Sequence, residues 1–333
     1  MYIVYDYLEE SITIYQEFDN YMRKIFNEYG GWVIVVFVII ALLLLVGGIK
    51  SIDDNGKVKG SGLIATIGNI FSNSIEKNNN HLRYLNGECG PNGEPLVSTT
   101  ESQVGKYADI DGDGTVDGII FADLAVGGSG TYEIERYYQS GLETLNYYIP
   151  KKNTGLKTYY QKGTYTAKMN GTQEVIVPLS NGSNRFYIMS LKSINNGKRT
   201  TLYNSINENN VPSSDYLKIT KYDFGSGKEN TLALYNKWLN ENYGLQDIND
   251  AFNFIHNDIK KGWFIPSSEE WAVFYKQLHI TKENYVSKGI EHWIFTSSVT
   301  YSYAIAYMKF EGNNVYYSGN PSFSIYTRLA TTF

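Results

Sequence analysis

Apolar residues fall into distinct regimes along the chain. Between 33 and 49 they run without interruption, "VIVVFVIIALLLLVGGI", with Trp32 before and Lys50 after. A bilayer core about 30 Å thick takes about 20 apolar residues in a helix, so this uncharged run with an aromatic flank predicts a transmembrane helix over 32–50. A buried core helix is the alternative for such a run. Residues 1–31 place apolar positions near helical spacing, as in "YDYLEESITIYQEFDNYMRKIF", which predicts an amphipathic helix beside the span. Such a helix either contacts a second copy, giving a homo-oligomer through the N-terminal helices, or lies on the membrane. Residues 51–100 are rich in Gly, Asn and Ser, as in "SIEKNNN" and "NGECGPNGEP". They read as a linker with one helix near "SGLIATIGNIFSNSI". From about 101 the pattern changes to short strand-like runs, "GIIFADLA", "RFYIMSL" and "YAIAYMKF", separated by turns. Helical spacing returns only near 232–243, 247–260 and 268–278. This mixed order predicts an α+β domain over 101–333 with a mixed, mainly antiparallel sheet.

Charge and cysteine content narrow the classes. A net charge of -5 argues against nucleic acid, which selects basic faces. The one cysteine, Cys89, excludes an intrachain disulfide. Arg23 and Lys24 precede the apolar run and Lys50, Lys57 and Lys59 follow it, so flanking charge does not set its orientation. The segment before the run is long and more acidic than basic, unlike a cleavable signal. With the large domain after the span, the expectation is a single-pass bacterial membrane protein whose C-terminal domain is outside the cell.

"ADIDGDGTVDGII" sets Asp109, Asp111, Asp113 and Asp117 at positions 1, 3, 5 and 9 of a calcium loop. Gly114 takes the sharp turn and Thr115 offers its carbonyl at position 7. Ile120 stands where the bidentate Glu belongs, so the loop is only partly EF-hand-like; Asp123 is the nearest substitute. A structural Ca²⁺ is the cofactor expectation, and ordinary Asp-Gly turns are the plain alternative.

"KKGWFIPSSEEWAVFYKQL" predicts a helix capped by Ser267 or Ser268, with Ser267 and Glu270 as a capping box. Trp271, Phe274, Tyr275 and Leu278 follow at helical spacing as core. Together with "HWIFTSSVTYSYAIAYMKF" and the terminal "YTRLATTF", this segment resembles bacterial domains of the C-type-lectin fold in the formylglycine-generating-enzyme-like group. Within that group it is most similar to the variable proteins of diversity-generating retroelements. The departures are Ile294 and Phe295 inside the serine-rich segment, and Thr327 where Val is common. The motifs cover the last part of the chain well, and "DIDGDGTVDGIIFADLAVGGSG" less specifically.

The resemblance implies non-covalent ligand binding through a replaceable region near 293–328. Adenine mutagenesis of Asn codons cannot give Lys, Glu, Gln, Met or Trp, and neither 299–307 nor 313–327 contains one. Tyrosine, serine and asparagine are also the adaptable contact residues of antibody loops. The expected contacts are Tyr301, Tyr303, Tyr307, Tyr316, Tyr317, Phe323 and Tyr326, with Asn320, Ser322 and Ser324 as polar partners. The expected ligand is a protein or glycan on another cell or a phage.

No enzyme is expected. Cys89 stands alone, and His81, His256, His279 and His292 have no zinc spacing. There is no nucleophile elbow or phosphate loop, and "GGSG" at 127–130 reads as a turn. A pilin-like structural subunit and a lectin-fold enzyme remain the alternatives.

Overall fold

The computed structural model describes residues 16–24, 27–28, 35–39, 41–42, 49–52, 58–60, 63–136, 140–202, 220–239, 248–301, 304–310, 314–319 and 323–333. The chain divides into two compact units, 1–82 and 83–333.

In the first unit, residues 16–24 and 27–28 are helical, as expected for the N-terminal helix. Most of the expected span 32–50 lies outside the described residues. Its described parts are helical at 35–39 and 41–42, but Ile49 and Lys50 belong to a strand, β1 (Ile49–Ile52), paired antiparallel with β2 (Val58–Gly60). Among the described residues no helix is long and apolar enough to cross a membrane. The expected linker contains a helix of 23 residues, α1 (Leu63–Leu85). It extends well past the predicted stretch because the Asn-rich "EKNNNHLRYL" continues its apolar spacing through Leu82 and Leu85.

The second unit is α+β, as the pattern predicts. It also begins earlier than 101. Cys89 and Val97 are buried, Leu96 bridges Tyr160, and the Val97 N–H donates to the Tyr159 carbonyl at 2.8 Å. One sheet has the order β13-β9-β4-β3-β8-β7, and a second has the order β10-β11-β12-β5-β6. The first contains β3 (Tyr107–Ala108), β4 (Gly118–Asp123), β7 (Tyr159–Ala167), β8 (Gly171–Pro178), β9 (Phe186–Ser190) and β13 (Ala330–Thr332). The second contains β5 (Gly128–Arg136), β6 (Leu142–Ile149), β10 (Trp293–Tyr301), β11 (Ala304–Lys309) and β12 (Asn314–Gly319). The "GGSG" stretch turns only at Gly127, whose φ of 64° suits glycine; Gly128 already starts β5. The longest helices of this unit are α2 (Gly227–Trp238), α3 (Ala251–Lys260) and α4 (Ser268–Gln277), near the predicted positions.

Helix α4 is the hub. Ser267 and Glu270 form the predicted capping box. Trp271, Phe274, Tyr275 and Leu278 are buried, and the Trp271 indole donates to the Phe295 carbonyl at 3.0 Å. This core joins Phe121 of β4, Tyr132 and Ile134 of β5, and Ile294, Ala306, Met308 and Val315 of β10–β12. A second core of Leu202, Leu234, Phe252, Ile255, Phe295, Val299, Ile305, Ile325 and Leu329 includes alternate positions of β10 and β11, and residues of α2 and α3. The start of β11 is therefore buried on both faces.

Candidate functional site

The two tyrosine-rich windows lie apart in sequence and meet at β10–β12. In register, Tyr301 opposes Ala304, Val299 opposes Ile305, Ile305 opposes Gly319, Ala306 opposes Tyr317 and Tyr307 opposes Tyr316. Beyond them Tyr316 opposes Glu135 and Tyr317 opposes Arg136 on parallel β5. The terminal part of the second window returns beside β10: the Phe295 N–H donates to the Tyr326 carbonyl at 2.9 Å, and the Thr200 and Ile325 backbones bond each other. Thus 299–301, 304–307 and 314–319 lie on adjacent strands and Tyr326 returns beside the start of β10, although "MKFEG" separates the windows in the chain. Met308 and Phe310 of that separator are fully buried.

Alternation divides the windows. Val299, Ile305, Ala306, Asn314, Val315, Ile325 and Thr327 are core residues. Tyr307 is half-buried, its ring 5.8 Å from that of Trp293. Tyr326 is half-buried, with the Arg199 guanidinium 5.5 Å above its ring and His292 6.5 Å away. Phe323, at 54 % exposure, and Ser324 face solvent. Tyr301, Tyr316 and Tyr317 are placed in β10 and β12 by their backbones, while Tyr303, Asn320 and Ser322 lie outside the described residues. Lys309 and Glu135 pair at 3.7 Å along this face, and Asn314 donates to Glu135 at 2.8 Å.

The serine-rich segment has a different role from the exposed contacts its composition suggests. Thr296, Ser297 and Ser298 are wholly buried at a register irregularity in β10. Thr296 Oγ1 donates to the Ala306 carbonyl and Ser298 Oγ to the Lys221 carbonyl, while Ser298 Oγ accepts the Ser268 N–H at 3.0 Å. These hydroxyls satisfy one backbone group of the irregular strand pair, one of the loop before α2 and one at the N-terminus of α4. They tie the tyrosine-bearing strands to the start of α4, a role that composition alone did not show.

The acidic turn forms a tighter cluster than expected in one respect and a smaller one in another. Ligand oxygens of Asp109, Asp111 and Asp117 lie within 4.8 Å of one another. Asp109 accepts the N–H groups of Gly112 and Gly114 at 2.8 and 3.0 Å, and Gly114 has φ 97°. Asp117 accepts the Ile110 N–H at 2.7 Å; burial, then the neighbouring carboxylates, push its pKa up. Asp113 is not part of the triad; its carboxylate accepts the Thr115 N–H at 2.6 Å, and Thr115 is exposed. Ile120 at position 12 is core. Asp123 cannot substitute: its two oxygens hold Arg185 Nε and Nη2, each at 2.8 Å, in a buried pair. Lys162 Nζ stands 3.5 Å from Asp109 and donates to the Gly112 carbonyl at 3.1 Å, where it supplies positive charge to the loop.

A cavity of about 550 Å³ beside this turn is lined by Asp111, Asp117, Lys192, Asp258, Lys261 and Trp263 among others. Hydroxyls on its wall are engaged, Ser190 Oγ with the Lys192 carbonyl and Thr331 Oγ1 with the Gly262 carbonyl. Comparison with family models, curated proteins and solved structures finds no match.

Proposed function

We propose that this chain is a ligand-recognition protein, built on a C-type-lectin-like domain, that binds non-covalently through the tyrosine-bearing end of β10–β12. The observation that carries the reading is the convergence of the two windows on adjacent strands over a buried scaffold. Half-buried Tyr307 and Tyr326 and exposed Phe323 offer large contact area with few torsions to freeze, and binding energy concentrates in such aromatics. The buried Thr296–Ser298 segment and the α4 cap hold these strands from below; Tyr307 and Tyr326 also pack against the cores, while Phe323 and Ser324 are exposed. The ligand is a protein or glycan surface of another cell or a phage. The apolar run 33–48, ahead of β1, anchors the chain in a bacterial membrane with the recognition domain outside. Asp109, Asp111 and Asp117 would hold a Ca²⁺ that stiffens the turn before β4, its remaining coordination coming from carbonyls and water. The cavity near Asp258 gathers charged groups, Asp111, Asp117, Asp258, Lys192 and Lys261, so a lectin-fold enzyme is the alternative reading.

The test is to screen the full chain in detergent micelles against protein and glycan arrays. Binding should be lost in the double variant Tyr307→Ala, Tyr326→Ala. It should persist in Tyr148→Ala, which removes a 64 % exposed tyrosine from β6 of the same sheet. Binding that survives the double variant, or is lost on changing Tyr148, would place recognition elsewhere.

A further inference from the structure

A second cavity, of about 410 Å³, opens beside the turn that follows β4. Its lining carries four cationic side chains, Lys151, Lys152, Lys157 and Arg185, and no carboxylate. In a chain with 34 acidic and 29 basic residues this is a local reversal of sign. Lys106, Lys162 and Lys309 are each held by a carboxylate, whereas the three lysines of the cavity form no ion pair among the described residues. The segment that bears them is pinned. The Lys152 N–H donates to the Leu124 carbonyl at 2.7 Å, the Lys157 N–H to the Ser183 carbonyl at 3.0 Å, and the Thr158 N–H to Ser180 Oγ at 2.9 Å. The Gly155 carbonyl accepts both the N–H and the hydroxyl of Ser183. Like charges held around one space repel, and an anion between them removes that cost.

Arg185 is an independent sign of a ligand. It is 1 % exposed. Its Nε and Nη2 hold Asp123, Nη2 also donates to the Ser98 carbonyl at 2.7 Å, and its Cζ lies 4.6 Å from the centre of the Phe186 ring. The remaining nitrogen, Nη1, has no hydrogen-bond partner among the described residues. A buried donor left in that state is costly, and an acceptor entering the cavity relieves it. Setting Asp123 against Arg185 leaves the three lysines in excess.

We infer that this cavity binds a tetrahedral oxyanion, the phosphate or sulfate substituent of a larger molecule. The shape follows from the donors. A planar carboxylate pairs best with the guanidinium fork, and Asp123 already occupies that fork. What remains are single donors from separate side chains: Nη1, three ammonium groups, and the Thr99 and Thr154 hydroxyls on the same lining. Such a set suits a group whose oxygens point in several directions. The volume is that of a small-molecule site and exceeds what the anion alone fills, so the anion is carried on something larger. The site uses no residue of β10–β12, and its failure would leave the tyrosine strands untouched.

The test is calorimetric titration of the full chain in detergent micelles with inorganic phosphate, inorganic sulfate and acetate, at one ionic strength set with NaCl. Phosphate or sulfate should bind saturably with a dissociation constant of about 1 mM, and acetate should not. Lys157→Gln should weaken binding about tenfold, the effect of one charge-assisted hydrogen bond. The exposed pair Lys151→Gln, Lys152→Gln should weaken it as well, with the circular dichroism of the parent. Lys228→Gln, an exposed lysine of α2, should leave it unchanged. Tighter binding of phosphate would assign a phosphorylated ligand and tighter binding of sulfate a sulfate ester; either supports the site. Acetate binding as tightly as phosphate would overturn the proposal. So would the absence of saturable heat at millimolar concentration, or an equal loss in Lys228→Gln.

Discussion

Glu270 offers a sensitive probe of how the recognition strands are held. Its carboxylate is wholly buried, accepts the Ser267 N–H at 2.7 Å and the Gly225 N–H at 3.1 Å, and closes the cap of α4. Two effects oppose each other there. Burial disfavours the charged form; the backbone donors and the helix N-terminus favour it. Burial is the larger, and the pKa rises from an ordinary 4.5 to about 7. The folded protein therefore keeps this proton where the unfolded chain has lost it. The resulting stability is fully present below about pH 4.5 and disappears as pH rises through about 7. At about 1.4 kcal/mol per unit, the loss between pH 5 and pH 8 is about 2 to 3 kcal/mol. Glu270→Gln keeps the shape and removes the titration. Urea unfolding of parent and variant at both pH values should show the parent losing that much relative to the variant. A difference that stays constant, or that grows in the parent's favour with pH, would show that the N–H donors outweigh burial and refute the reasoning.

Other outcomes follow from the same geometry. Asp123→Asn should destabilise the domain by about 3 to 5 kcal/mol in urea unfolding, because Arg185 would be left buried against a neutral amide. Ca²⁺ at millimolar concentration should raise the melting temperature, and Lys162→Met should tighten its apparent affinity in a calorimetric titration by removing the competing ammonium; Asp111→Asn should weaken it. Phe323→Ala should leave stability within about 0.5 kcal/mol, as for an exposed side chain, whereas Met308→Ala in the buried separator should cost about 2 to 5 kcal/mol by thermal melting.

Regular signals in the sequence translated directly into structure. The short strand-like runs became β4, β9 and β11, and Ser267 with Glu270 became a complete capping box, since local hydrogen bonding alone specifies it. Where the reading failed, tertiary contacts decided. Cys89, Leu96 and Val97 stand isolated among Gly, Pro and Asn and carry no periodicity, so they read as linker; each is buried or bridged by the sheet only once the chain is folded. Thr296, Ser297 and Ser298 have the composition of an exposed contact loop, yet bury completely because the Thr296 and Ser298 hydroxyls bond the backbone of three other segments and Ser297 accepts from the Asn230 side chain. The spacing of the acidic turn located Asp109, Asp111 and Asp117. It could not show that Asp113 turns to its own loop or that Asp123 is consumed by Arg185. The meeting of the two windows was not legible from either window, because it depends on β10–β12 register and on the return of Tyr326 to Phe295.

The most direct measurement of the central claim is to sequence the 3′ coding region of this gene across a population of cells. The account predicts substitutions concentrated in 299–307 and 313–327, most frequent at outward positions such as Tyr307, Phe323 and Tyr326, with Met308, Lys309 and Phe310 unchanged. A 3′ end without variation, or variation spread evenly through the buried separator, would contradict a replaceable recognition surface.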